Sequence, residues 1–380
     1  MNVINCARGI LARFWPPSKK SGLVTTHQKL PGIHGLRALA ALMIVLFHLH
    51  GILSLAVPPA LGLVASHFGL GVTLFFVISA FSLSYSNPNA INDLPNYYTK
   101  RLFRIFPLFY FMFCVYGILF AWPSLFSTIA QLAFIFNFIP GGHESSVWAG
   151  WTIGVEMIFY VVLPILIALC VSFRAILVGV ILTALIGYSA RVLLTDALPT
   201  FPGYSGMSFI GNLPIFFAGI AAYWAYARWK DSSSAMPAAV AFVVMGGLVV
   251  FLLHPISIGL VTRGRPDSLF WGYAFAAMCL WQALSPSRIF ACAAAQWIGE
   301  RSFSVYLLHP LVIYSMRDIH GWIYSVLTPI GAWAFVVCAV VTLPILLGLS
   351  AVTYRFIELP GVTMGRHLAR RKAASAAVAS

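Results

Sequence analysis

Long apolar runs alternate with short polar or proline-bearing breaks along most of this chain. Runs near the ~20 residues that a helix needs to cross a bilayer fall at about 33–54, 68–86, 103–122, 150–171, 175–194, 209–228, 236–254, 269–285, 302–317 and 329–353. An eleventh run, FSTIAQLAFIFNFI at 126–139, has only 14 residues, a length typical of re-entrant or interfacial segments. The pattern predicts an all-α, polytopic transmembrane helical bundle of about ten spans, plus one short re-entrant or interfacial segment.

Composition supports that class. Of 380 residues, 61% are hydrophobic and 8% charged, where a soluble domain carries roughly a quarter charged. The net charge of +14 does not point to nucleic acid, because acidic residues are scarce and Lys and Arg gather in loops. With ten spans and a cytoplasmic N-terminus, only Arg191, Arg263, Arg265 and Arg317 face outward, leaving 19 of the 23 basic residues inside. A crossing at 126–139 would invert the later loops and put Arg174 or the Arg228/Lys230 pair on the wrong side. The expectation is a multi-pass protein of the cell inner membrane with both termini cytoplasmic. Residues 1–30 read as a basic tail on anionic lipid (Arg8, Arg13, Lys19, Lys20), 31–360 as one membrane domain and 361–380 as a second basic tail. No apolar core followed by a small-residue cleavage site marks a signal peptide. Cys6, Cys114, Cys170, Cys279, Cys292 and Cys338 show no CxxC or Cys/His spacing, so neither a disulfide framework nor a metal site is expected.

Three groups of ionisable residues interrupt the apolar runs. Arg37 and His48 lie 11 residues apart. That is three helical turns plus about 20°, so they share one face, about 16 Å apart along the axis. Arg101 and Arg104, at i,i+3, share a face at the start of the third span; with Arg37 on the same side they make a place for phosphate oxygens, which guanidinium forks suit. Either arginine alone reads as ordinary positive-inside anchoring. Glu156 lies within WTIGVEMIFY (151–160). If that span enters from outside near residue 150, Glu156 is at the depth of His48, and the two can pair and share a proton. Ionisable groups at such depth mark a site or pathway by default, although a core histidine bonded to a carbonyl is an even alternative for His48 taken alone.

Six stretches together resemble the membrane acyltransferase-3 family, bacterial integral-membrane O-acyltransferases. They are GIHGLRALAALMIVLFH (32–48), LGVTLFFVISAFSLS (70–84), KRLFRIFP (100–107), WTIGVEMIFY (151–160), WIGERSFSVYLLHP (297–310) and YRFIELP (354–360). Ala80 stands where the family has glycine, Thr152 where it has serine, Phe303 where it has tyrosine, and Met157 where a second acid is common. The resemblance implies acyl transfer, typically from acetyl-CoA as co-substrate with no permanently bound cofactor, to a hydroxyl of a cell-envelope or secreted carbohydrate or a lipid-linked sugar. By position it makes Arg37 and His48 the paired functional residues, Arg101 and Arg104 the R-x-x-R motif, and Glu156 the retained acid, acting without a neighbouring carboxylate. Arg37, Arg101 and Arg104 would hold the CoA head, its arm would run along the first span, and His48 would act as general base. An acyl-histidine intermediate is the less favoured route. The chain ends at Ser380, so a second esterase-like module is expected on a separate protein.

His309, with Tyr306, is a second candidate for catalysis, but a core or acceptor-pocket polar role ranks ahead of it. Trp148 and Trp151 are candidates for stacking on a sugar, against the commonplace interfacial tryptophan belt. Asn137 lines the acceptor cavity or caps a helix, and Glu358 is expected to pair with a nearby arginine. His143, Glu144 and Ser145 suggest a hydrolase, but no GxSxG frame accompanies them. The competing function is a proton-coupled transporter or flippase of a glycan or lipid-linked intermediate, with His48 and Glu156 as a relay; the repeated halves that usually mark such proteins are not evident. A non-catalytic scaffold would gain nothing from buried ionisable groups.

Overall fold

A computed structural model describes residues 29–201, 203–254 and 268–378, the side chains of 371–378 excepted. Cys6, the basic cluster Arg8, Arg13, Lys19 and Lys20, the loop arginines Arg263 and Arg265, and the side chains of Arg371 and Lys372 lie outside the described residues. The described regular structure is entirely helical. Eight described segments are long and apolar enough to span a membrane. They contain α1 (Pro31–Leu53), α2 (Gly71–Ser86), α3 (Leu94–Leu119), α5 (Trp151–Leu169), α6 (Phe173–Ala197), α7 (Phe209–Trp229), α8 (Met236–Leu253) and α13 (Ala334–Thr353). Two shorter apolar helices, α9 (Ser268–Leu284) and α11 (Ser302–Ser315), occupy the two remaining expected spans, and the short helices α10 (Ala293–Glu300) and α12 (Arg317–Val326) follow each of them in turn.

The short run 126–139 does not form a crossing helix. It contributes α4 (Leu125–Leu132), a loop through Phe134 at φ 56°, and a single 3-10 turn at Phe136–Phe138. Eight residues rise only about 12 Å, well short of a ~30 Å hydrocarbon core. The run then folds inward, and Gly154 of α5 packs against the Phe136 ring and Asn137.

Two elements extend beyond the apolar runs that announce them. α3 begins at Leu94 with Pro95 in its first turn, nine residues before its expected start at 103. Proline is preorganised for that position, and the polar residues 96–101 are helical although hydropathy leaves them out. Arg101 and Arg104 therefore sit in the second and third turns of α3, not at its start. At the other end of the chain, a π-helical turn (Tyr354–Glu358) joins α13 to α14 (Leu359–Val378). α14 packs along α3, with Gly361 and Gly365 against Phe103 and Ala369 buried. The segment expected as a tail from 361 thus begins as a docked helix.

The core lies between α2, α5 and α7, where Phe76 stacks on Phe216 at 4.6 Å and Phe216 on Phe159 at 4.1 Å. Small residues let helices touch there, as is usual in membranes. Gly219 of α7 leaves no space for a Cβ beside the Val77 carbonyl of α2, and Gly35 of α1 none beside Phe290. Arg191, expected to face outward, is buried in α6. It donates to Gly211 O (2.8 Å), Asn212 Oδ1 (3.1 Å) and Ser268 Oγ (2.8 Å), tying α6 to the starts of α7 and α9.

Gly219→Val is expected to destabilise the protein by roughly 1–3 kcal/mol through overpacking. Thermal unfolding in detergent checks this; an unchanged midpoint would contradict the close α2–α7 contact.

Candidate active site

Gly71, the first residue of α2, lies against the Ala40 carbonyl and Ile44 of α1. α2 therefore starts beside the middle of α1 and runs back toward the end that carries Arg37. Between them opens a cavity of about 150 Å³ lined by Arg37, Arg101, Arg104, Ser79, Ser82, Ser86, Glu156, Tyr160, Tyr306 and apolar residues of α2. One side carries three guanidinium groups and the other hydroxyls and a single carboxylate.

The three arginines differ in what holds them. Arg104 faces the buried Glu358 carboxylate at 3.9 Å, and Ser304 donates to the same carboxylate at 2.8 Å. The π-helical turn supplies Glu358, so the expected arginine partner of Glu358 is Arg104. Arg37 makes no hydrogen bond to a described residue, and the buried Arg101 Nε has no partner there. Nearby, at the edge of the bundle, Lys29 donates to Glu300 at 2.7 Å and holds that carboxyl below the usual range.

Glu156 accepts from Ser79 Oγ at 2.5 Å and Tyr160 OH at 2.7 Å. It does not pair with His48, which corrects the expectation of a shared proton. Ser79 lies eight residues along α2 from Gly71, about 12 Å toward the Arg37 end, whereas His48 lies beyond Ile44 in the other direction. Equal depth from the helix ends did not bring the two together, because the packing of α5 on α2 gives Glu156 to Ser79. Trp151, the first residue of α5, meets Phe76 of α2 edge-on at 6.0 Å inside the bundle, beneath the re-entrant segment.

His48 is half-buried. Its Nδ1 lies 3.1 Å from Ile44 O and 3.0 Å from His309 Nε2, while its Nε2 has no partner among the described residues. His309 is fully buried, with Nδ1 2.5 Å from Tyr306 O. Neither ring lines the cavity; they connect to it through Tyr306, whose carbonyl meets His309. The Tyr306 ring lines the cavity, but its hydroxyl donates to Ala149 O (2.8 Å) and accepts from Thr152 (2.9 Å). It thereby braces α11 against the start of α5, where Ala149 has φ 61°, a conformation that a non-glycine residue holds only when its surroundings impose it.

The remaining candidates have structural partners. Trp151 packs on Phe76 and does not line the cavity, and Trp148 sits in an aromatic cluster with Tyr116, Phe120 and Tyr314. Asn137 acts at a helix start, accepting from Phe209 N at 3.2 Å and donating to Met207 O at 2.8 Å. Ser145 donates to Gln131 at 2.7 Å, and His143 accepts from Gly141 N at 3.2 Å, so no His143–Ser145 pair forms. Sequence reasoning missed Ser79 and Tyr160. Tyr160 was legible, one helical turn from Glu156 at i+4; Ser79 was not, because only the α2–α5 contact brings it there.

Eight long apolar helices and two shorter ones hold a basic cavity and, beyond Tyr306, a histidine pair. The chain matches the family described as an acyltransferase domain, of the acyltransferase-3 type, over residues 30–349. It belongs to that family. It is similar to the O-acetyltransferase OatA of Staphylococcus aureus (strain NCTC 8325 / PS 47), with 24% identity over 368 residues, covering 87% of this chain and 57% of that protein. It is also similar to the putative peptidoglycan O-acetyltransferase YrhL of Bacillus subtilis (strain 168), with 25% identity over 391 residues, 91% of this chain and 57% of that protein. The chain thus spans little more than half the length of these relatives. No solved structure matches it.

Arg104→Met leaves the Glu358 carboxylate buried without a cation, which is expected to cost on the order of 3 kcal/mol. Arg101→Met uncouples no carboxylate and should cost less. Paired thermal-unfolding measurements check the order; equal losses would contradict the Arg104–Glu358 contact.

Proposed function

We propose that this chain is a membrane-embedded O-acyltransferase that takes an acyl group, acetyl by analogy with its relatives, from acyl-CoA and moves it to a hydroxyl of a cell-envelope glycan. The observation that carries the reading is the pairing, on the unbroken helix α1, of a cavity-lining arginine without a partner and a histidine with one free ring nitrogen. A buried guanidinium without an acceptor is costly, and phosphate oxygens would satisfy both Arg37 and Arg101. Arg104 adds positive charge while remaining tied to Glu358. The helical rise of about 16 Å between Arg37 and His48 suits an anionic head at one end and a thioester at the other.

His48 Nε2 removes the proton of the acceptor hydroxyl as that oxygen attacks the thioester carbonyl. The tetrahedral intermediate collapses, the C–S bond breaks, and the thiolate takes the proton from His48. The products are an ester and free CoA, and His48 is neutral again. Glu156, held by Ser79 and Tyr160 beside Arg37 and Arg101, balances their charge and keeps them aimed into the cavity. A role for Trp151 in the acceptor pocket would need the acceptor to displace its contact with Phe76. The excess of basic residues on one face supports placing the arginine end, with both termini, on the cytoplasmic side of the cell membrane. The donor then enters from the cytoplasm and the acceptor from outside. The names of the relatives make peptidoglycan the first acceptor to test.

His48→Ala is expected to lower transfer roughly 10²–10⁴-fold, the usual contribution of a general base. The measurement is label transfer from radioactive acetyl-CoA to envelope material in native membranes; undiminished transfer would remove His48 from the mechanism. Arg101→Ala should raise the apparent KM for acetyl-CoA about tenfold or more, matching the loss of a charge-assisted hydrogen bond. An unaltered KM would argue against phosphate binding. Mass spectrometry of envelope glycans from a deletion strain identifies the acceptor by the ester that disappears.

A further inference from the structure

Two carbonyl groups fix the direction of every proton in the histidine pair. Tyr306 O can only accept, so the His309 Nδ1 facing it at 2.5 Å carries a hydrogen. Ile44 O, 3.1 Å from His48 Nδ1, can likewise only accept, so that nitrogen also carries a hydrogen. The 3.0 Å contact between His48 Nδ1 and His309 Nε2 then has one consistent assignment. The single His48 Nδ1–H is shared between Ile44 O and the lone pair of a neutral His309 Nε2. The remaining atom, His48 Nε2, is left with its lone pair free.

Local sequence makes this arrangement available. Pro310 follows His309 inside α11. In a regular helix the N–H of residue 310 would bond to the carbonyl of residue 306, and proline has no such hydrogen. Tyr306 O is thereby released to the His309 ring. The Tyr306 hydroxyl is anchored to Ala149 and Thr152, so the chain Ala149–Tyr306–His309–His48 runs from the re-entrant loop to α1.

We infer that His309 is a positioning residue rather than part of the acceptor pocket. Through its Nε2 it holds His48 in the Nδ1–H tautomer and in one ring orientation, so that Nε2 of His48 is the atom that faces the acceptor hydroxyl. This rests on His48 being the base. His309 does in this role what an orienting carboxylate does for a catalytic histidine elsewhere, without bringing a negative charge into the membrane. Its full burial fits a group that acts through another side chain and never meets the substrate.

The test compares two replacements in native membranes, which carry the cell's own acceptor, using labelled acetyl-CoA. His309→Gln places an amide oxygen near the original Nε2 and keeps an acceptor for His48. His309→Leu fills the site and removes the acceptor. The Leu variant is expected to lose roughly 10²-fold in kcat, the lower range for a misplaced general base, with the KM for acetyl-CoA unchanged. The Gln variant should retain at least about a tenth of wild-type kcat, because its amide oxygen accepts from His48 Nδ1 as His309 Nε2 does. In parallel, nitrogen NMR of histidine-labelled wild-type protein in detergent should show His48 protonated at Nδ1. Equal kcat for the Leu and Gln variants, whether high or low, or a His48 proton found on Nε2, would overturn the inference. The spectrum does not depend on turnover. Full activity of a His48→Ala variant, alongside the expected wild-type spectrum, would therefore sink the base assignment and leave the tautomer chain standing.

Discussion

A bilayer core offers no water to a polar group, so every donor, acceptor and charge within it must find its partner in the protein. Most of this bundle obeys that constraint. Arg191 reaches three oxygens on two neighbouring helices. Glu358 takes Ser304 and Arg104, and Glu156 takes Ser79 and Tyr160. Exceptions are spread through the described bundle, Tyr97 OH, Tyr116 OH, Gln282 Nε2 and Glu358 Oε1 among them. In the cavity they are cationic: Arg37 makes no hydrogen bond to a described residue and Arg101 Nε has no partner there.

The short segment of α4 and its following loop decides where α5 begins. Because α4 and its following loop fold inward and back, α5 begins inside the bundle beneath them. Its first turns meet α2 through Trp151 and Phe76, and α11 through Thr152 and Tyr306. Glu156 is carried toward the arginines and away from the histidines. Thr152 and Tyr306 stand at the junction, with the arginine-lined cavity on one side and the histidine pair on the other.

Much of the site was legible in residue types and spacing. The separation of Arg37 and His48 on one face needs only helical geometry, because α1 is unbroken. The span count survived because a run of 14 residues is too short to cross, and the pairing of Glu358 with an arginine followed from its burial near a basic end. Reading failed where depth was inferred from apolar length. The polar start of α3 is helical despite its hydropathy, and α5 starts inside the protein rather than at a surface. Hydropathy measures affinity for lipid, and it says nothing of a helix that begins beneath another segment.

The sequence by itself determined the class of protein, the apolar spans, the shared face of Arg37 and His48 and the inventory of ionisable groups, because these depend on composition and on the fixed pitch of one helix. Tertiary structure decided the partners: His309 for His48, Ser79 and Tyr160 for Glu156, Glu358 for Arg104. Apart from Tyr160, one helical turn from Glu156, those partners lie 77 to 261 residues apart, and no local periodicity encodes which helices become neighbours. The carbonyl freed by Pro310 lies between the two. Its cause is written in one dipeptide, yet its consequence, the orientation of a proton on another helix, exists only once α1 and α11 are packed together.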